Sequence, residues 1–266
     1  MSADPVASGV DRVALLQLAV EAAEAAGAHL LARAGDVHTV APKSSATDPV
    51  SEADRAAETL LVERLRAARP DDGFLGEEGA DRAGTSGLRW VLDPLDGTVN
   101  YLYGLPAWCV SVACEDADGG LVGAICDPLR GETFRAARGH GAWLGRERLA
   151  VNDPVALERA LVATGFAYDP AARALQGARA GALLPQVRDL RRAGSAALDL
   201  CNVAAGRVDG YYEAGVGHWD WAAGALIAAE SGATVSRYTA ADGRHGLVVA
   251  GPALHDPLRA AAMEGG

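Results

Sequence analysis

The sequence predicts a mixed α/β protein, and three observations carry that expectation. Ala/Leu-rich helical segments come first, a run of strands with Gly-containing turns follows from Trp90, and strand and helix alternate after about residue 150. A chain of 266 residues is too long for one minimal core and fits one large domain or two closely packed ones. Half of it is hydrophobic, with 32 Gly and few aromatics, which favours close helix–sheet packing over an aromatic-rich sandwich.

In order, Asp11 to Arg33 reads as a first helix with few breakers. The polar stretch Lys43 to Pro49 follows. Ser51 then opens a second helix, with Ser51 and Asp54 spaced as a capping box and Ala57, Leu60, Leu61 and Leu65 as its apolar stripe. Phe74-Leu75 is a short strand running into Gly76-Glu77-Glu78. Strands are expected at Trp90–Leu92, Val110–Glu115, Leu121–Asp127 and Glu132–Arg138. Beyond them come a strand at Ala160–Gly165, a helix at Ala171–Leu184, a strand at Arg188–Arg192 and a helix at Ser195–Ala205. A strand at Asp209–Glu213, a helix at Asp220–Ser231 and strands at Thr234–Arg237 and Leu247–Ala250 close the set. The change of pattern divides the chain into an N-terminal α+β part, 1–150, and a C-terminal α/β part, 151–266, packed together rather than linked as beads.

A net charge of −11 argues against a nucleic-acid surface, which needs a basic face. Cys109, Cys114, Cys126 and Cys201 form no C-x-x-C pair and sit in apolar stretches, so they read as reduced core residues of a cytoplasmic protein. Met1 to Val10 has no leader pattern, and no uninterrupted apolar run approaches the ~20 residues of a membrane span.

The most informative stretch is Trp90 to Tyr101. An apolar strand delivers Asp93 and Asp96 into a turn shaped by Pro94 and Gly97. Both carboxylates and the Leu95 carbonyl can converge there on a hard divalent cation, which takes oxygen ligands. Gly97 and Thr98 offer N–H groups and a hydroxyl suited to a phosphate. Read alone, Asp, Pro and Gly also make an ordinary turn. Paired acids in Gly76-Glu77-Glu78, Asp54 early in a helix and Asp220 at another helix start add to the acidic set; each also has a plain reading as a cap, a dipole acid or a solvated charge.

Together these features resemble the inositol monophosphatase family. Asp93 to Tyr101 matches D-P-[IL]-D-G-T-x-N-[FY] in full. Trp219 to Gly232 matches W-D-x-A-A-x-x-L-[IL]-x-x-x-G-G, with Ser231 at the first glycine of the final pair. Lys43, Asp48, Val50 and Asp54, with Ser51 for Thr, match K-x(n)-D-x-V-T-x-x-D, and Gly76 to Glu78 is the G-E-E motif. Arg191 to Leu200 and Asp209 to Glu213 resemble the bacterial inositol-1-phosphatase branch.

The resemblance implies a layered α-β-α-β-α sandwich, Mg²⁺ dependence with two to three ions per site, lithium sensitivity and a homodimer. It implies that Glu77, Asp93 and the Leu95 carbonyl hold one ion and that Asp93, Asp96 and Asp220 hold a second. Asp54 and Thr98 would orient and deprotonate water, with Glu77 assisting through a weaker third ion. Gly97 and Thr98 would bind phosphate, while Gly194, Ser195, Ala196, Glu213, Asp96 and Asp220 would meet a small phosphorylated polyol. Asp93 and Asp96 are three apart, unlike the D-x-D of phosphatases that form an aspartyl-phosphate. Histidinol phosphate, fructose 1,6-bisphosphate and 3′-phosphoadenosine 5′-phosphate remain alternative substrates, and a regulatory protein-binding module is a reading of another class. His218 is expected either behind the metal ligands or facing solvent.

Overall fold

The computed structural model describes residues 10–34, 40–42, 49–240 and 242–263, with the backbone alone at 40–42 and 49–51. Lys43 and Asp48 lie outside the described residues, as do the side chains of Val50 and Ser51.

Helix α1 (Arg12–Leu31) is capped by Asp11, whose carboxylate accepts the N–H groups of Val13 and Ala14. Strands β1 (Val40–Pro42) and β2 (Pro49–Ser51) form an antiparallel pair, and α2 (Glu52–Ala68) follows. The first large sheet takes β3 (Gly73–Gly76), β4 (Asp81–Arg82), β5 (Arg89–Asp96), then, after the short helix α3 (Thr98–Leu102), β6 (Cys109–Asp116), β7 (Gly119–Asp127), β8 (Glu132–Ala137), β9 (Ala142–Leu144) and β10 (Glu147–Arg148). Its strand order is β10-β9-β8-β7-β6-β5-β3-β4. The second sheet has the order β12-β11-β13-β15-β14. It is built from β11 (Leu161–Thr164), β12 (Asp189–Arg191), β13 (Gly210–Ala214), β14 (Thr234–Thr239) and β15 (His245–Ala250), with α4 (Pro170–Leu183), α5 (Ala196–Ala204), α6 (His218–Glu230) and α7 (Pro252–Met263) between or after them.

The layers follow from which faces are apolar. Helices α1 and α2 cover one face of the large sheet, burying Leu15, Leu30, Leu61 and Leu65 against Trp90, Leu92, Val110 and Val112. The alternate residues of the same strands, Val91, Cys109 and Ala113, face the other way into a second core with α5, α6 and the small sheet. Helices α4 and α7 close the outer face of the small sheet. The result is an α-β-α-β-α sandwich, as the sequence reading expected. By length and a mean hydropathy of 1.2, α1 would suffice to cross a bilayer, yet its Ala and Leu face is packed on α2, β6, β7 and β8.

Three features depart from the expected elements. β5 does not stop at Leu92 but continues to Asp96, with its pairing to β6 shifted between Asp93 and Asp96. Pro94, which has no N–H for a ladder, sits within that shift. α7 was not expected, because Pro252 and Pro257 interrupt its pattern. Pro252 fits the first helical turn, and burial of Leu254, Leu258, Ala261 and Ala262 compensates for the hydrogen bond lost at Pro257. The short strands β1, β2, β4, β9 and β10 and the short helix α3 were also not foreseen.

Candidate active site

Strand register brings the first acids together. β3 runs parallel to β5 with Gly76 opposite Leu92, so both strands exit on the same edge and place Glu77 beside Asp93. The Glu77 N–H donates to the Leu92 carbonyl at 3.2 Å. Asp220 arrives from the first turn of α6, where its Oδ2 accepts the Gly217 N–H at 2.6 Å. Carboxylate oxygens of Glu77, Asp93 and Asp220 all lie within 4.8 Å of one another.

Asp93 is fully buried. Its Oδ1 accepts the Leu95 N–H at 3.0 Å, while Oδ2 has no hydrogen-bond partner among the described residues. Burial, then the charges of Glu77, Asp96, Asp220 and Asp54, push its carboxyl well above the ordinary range. Burial and the charges of Asp96 and Glu77 do the same to Asp220. Among the described residues, no Lys, Arg or His forms an ion pair with Asp93, Asp96 or Asp220. Converging carboxylates without a counter-charge are costly. An all-oxygen donor set with a bare inward oxygen is suited to a hard divalent cation.

Asp96 is held differently. Its Oδ2 accepts the Ser195 hydroxyl at 2.6 Å and the Ala197 N–H at 2.7 Å. Burial raises its pKa to about 6, although those two donors hold it down in part. Gly97 then turns the chain with φ of 90°, and a Cβ there would come 2.6 Å from the Ala107 carbonyl oxygen. The Thr98 hydroxyl donates to the Leu95 carbonyl at 3.0 Å. Asn100 fastens this turn to the other half of the site, its amide donating to Ala107 O at 2.6 Å and Ala193 O at 2.9 Å, next to Gly194.

These groups border one cavity of about 290 Å³. Glu77, Asp93, Leu95, Asp96 and Asp220 line it, as do Gly97 and Thr98. Gly194, Ser195, Ala196 and Glu213 line it too. Asp54 does not; it is buried on α2 and reaches the cluster through its charge on Asp93. Ser195 faces the cavity, but its hydroxyl is engaged with Asp96. The Glu213 carboxylate accepts the Tyr211 hydroxyl at 3.0 Å and lies so close to Gly165 that a Cβ there would overlap it. Burial raises Glu213 to about 7, with Tyr211 lowering it and Asp96 raising it. His218 is partly exposed and stands outside the cavity lining: its Nε2 meets Glu115 Oε1 at 2.8 Å and its ring packs edge-on to Trp221.

Sequence reasoning missed Glu58, Arg192 and Gly165. Glu58 is buried and accepts the N–H groups of Glu78 and Ala80 at 2.9 and 3.0 Å, which fixes the loop carrying Glu77. A signal was present: Asp54 and Glu58 share a helix face with Ala57, Leu61 and Leu65, so two acids interrupt an apolar stripe. Arg192 and Gly165 line the cavity from loops that carry no periodicity.

A five-layer sandwich with acids gathered at the exits of two parallel strands is the architecture of the sugar phosphatases. The comparisons with known proteins narrow that class. The profile of the inositol monophosphatase family matches residues 11–265. The inositol-1-monophosphatase SuhB of Mycobacterium tuberculosis is 49% identical over 243 residues, 87% of this chain and 84% of that protein. The Nus factor SuhB of Xylella fastidiosa is 43% identical over 229 residues, 85% of this chain and 83% of that protein. The crystal structure of the extragenic suppressor protein suhB from Bartonella henselae superposes with a TM-score of 0.88 at 36% identity, covering 95% of this chain and 99% of that one. The chain belongs to the inositol monophosphatase family, of the bacterial inositol-1-monophosphatase type.

Proposed function

We propose that this protein hydrolyses inositol monophosphate to myo-inositol and phosphate with Mg²⁺ as its metal. The observation that carries the reading is the convergence of Glu77, Asp93 and Asp220 in the same cavity as Glu213. The first three, with Asp96 and the Leu95 carbonyl, would hold two to three ions. When bound, such ions make water a better nucleophile and neutralise phosphate charge.

The chain's own groups do the rest. The Thr98 hydroxyl gives its hydrogen to the Leu95 carbonyl, which leaves its oxygen lone pairs to accept from a water. Asp54, which stands outside the cavity lining, is the final acceptor of that water's proton through an intervening hydroxyl or water, and Glu77 assists. The Gly97 and Thr98 N–H groups bind phosphate oxygens. Ser195 and Ala197 fix Asp96, so the turn with Gly194 and Ala196 shapes the polyol side of the cavity. Glu213 accepts ring hydroxyls, and a buried acceptor left unpaired disfavours substrates that lack them. No covalent phosphoenzyme forms. The reading includes a homodimer in the cytoplasm, inhibited by lithium.

A second reading, a regulatory protein-binding module, is favoured by a relative 43% identical that is named a Nus factor. Phosphate release by the purified protein with Mg²⁺ from inositol 1-phosphate, histidinol phosphate, fructose 1,6-bisphosphate and 3′-phosphoadenosine 5′-phosphate separates the two. Highest kcat/KM on inositol 1-phosphate is expected. Preference for histidinol phosphate would replace the substrate, and no release from any of the four would favour the regulatory reading.

A further inference from the structure

Asp199 is a carboxylate in the cavity that the metal chemistry does not use. It stands four residues after Ser195, so both lie on one face of α5, and both line the cavity. Asp199 is only 3% exposed. Burial, then the charges of Glu213 and Asp96, push its carboxyl up to about 8 against the opposing pull of Arg192; among the described residues no hydrogen bond is made to it. The three carboxylates whose oxygens converge are Glu77, Asp93 and Asp220, and Asp199 is not one of them.

Buried acids that serve only the fold are saturated with donors here. Asp72 takes donors from Arg69, Ser86 and Trp90, and Asp127 takes the backbone N–H groups of Leu129 and Arg130 and the Arg130 guanidinium. A buried carboxyl without donors is costly unless a ligand supplies them. Beside Glu213, the groups that can do so are the hydroxyls of a polyol, and two adjacent carboxyls fit two hydroxyls.

We propose that Asp199 is a specificity-determining residue that, together with Glu213, binds two hydroxyls of the polyol part of a phosphate monoester. The proposal rests on the phosphomonoesterase reading and deepens it: the second hydroxyl contact comes from α5, the same helix that clamps Asp96 through Ser195 and Ala197. An acid in the first turns of a helix also gains from the helix dipole. That role predicts a change in stability without a change in substrate choice.

The test is the ratio of kcat/KM for inositol 1-phosphate to that for p-nitrophenyl phosphate in wild type, Asp199→Asn and Asp199→Leu, with melting temperature as the folding control. The ratio is expected to fall about tenfold in Asp199→Asn and further in Asp199→Leu, through KM for inositol 1-phosphate rather than its kcat. Melting temperature is expected to hold or rise in Asp199→Asn, because a buried carboxyl that lacks donors is replaced by an amide that stays neutral at every pH. If wild type prefers inositol 1-phosphate and both variants keep that preference, the assignment of Asp199 falls and the substrate reading stands. If wild type shows no preference for the polyol phosphate, the substrate reading falls and takes the assignment with it.

Discussion

Two fully buried aspartates, Asp72 and Asp93, sit near opposite ends of β5 and answer to different rules. Asp72 accepts two bonds from Arg69, at 2.9 and 3.0 Å, one from Ser86 at 2.6 Å and one from Trp90 Nε1 at 2.9 Å. Burial pushes its carboxyl up, but those donors outweigh burial and hold it below the ordinary range. Asp93 has one backbone donor, a bare Oδ2 and acidic neighbours, and is pushed far the other way. Burial alone therefore does not mark a site. The accounting of partners does, because an acid that holds a fold together is saturated and an acid that awaits a ligand is not.

The comparison breaks most sharply on substitution of the two acids by Asn. Asp93→Asn is expected to lower kcat by roughly a hundredfold or more, with the metal-free melting temperature unchanged or raised. Steady-state turnover and a melt of the same preparation check it; near-normal kcat at saturating Mg²⁺ would remove Asp93 from the ligand set. Asp72→Asn should do the reverse. It loses the charge that holds the Arg69 guanidinium and leaves donors imperfectly paired, at a cost of about 2–3 kcal/mol, discounted for the partly exposed Arg69. Urea unfolding should report that loss while kcat of the folded protein stays near wild type.

Smaller effects sharpen the boundary between holding and reacting. Glu58→Gln keeps the shape of a side chain that fixes the Glu77 loop but offers one carbonyl oxygen where the carboxylate offers two. Roughly tenfold weaker Mg²⁺ activation is expected, as for groups that orient metal ligands. An unchanged Mg²⁺ dependence would make Glu58 a purely structural acid like Asp72. Glu213→Gln is expected to raise KM for inositol 1-phosphate about tenfold, the consequence of losing a charged acceptor, while kcat changes less. Equal losses in KM and kcat would place Glu213 with the metal ligands.

Much of this arrangement is legible from residues alone, for identifiable reasons. Helices α1, α2, α5 and α6 and strands β6, β7 and β8 have local signals: apolar stripes, caps and Gly-containing turns. The residues from Asp93 to Thr98 announce themselves through their spacing and the company of Glu77, Asp54 and Asp220, since Asp, Pro and Gly alone read as an ordinary turn. The rest depends on long-range contact. The apolar stripe of α2 marks Glu58 as buried, but it does not indicate that the carboxylate meets a loop twenty residues later. Ser195 was expected to meet the polyol, and only the packing of α5 against α6, β6 and β7 shows its hydroxyl bonded to Asp96, ninety-nine residues away. Likewise α7 is made helical by its burial on β13 and β15, which its two prolines conceal.

The proposed cation site is tested most directly by melting chelator-stripped protein with and without Mg²⁺ at about pH 5.5 and about pH 8. Asp96 is raised to about 6 and Glu213 to about 7, so between the ordinary carboxylate range and those values the folded state binds more protons than the unfolded one. Stability of the metal-free protein is therefore present at low pH and lost as pH rises through that window. Mg²⁺ competes with those protons and binds only the folded state, so its stabilising shift should be larger at the higher pH. The account predicts a lower metal-free melting temperature at about pH 8, a rise on adding Mg²⁺ that exceeds the rise at about pH 5.5, and loss of most of that rise in Asp93→Asn. A melting temperature indifferent to Mg²⁺ at both pH values would contradict it.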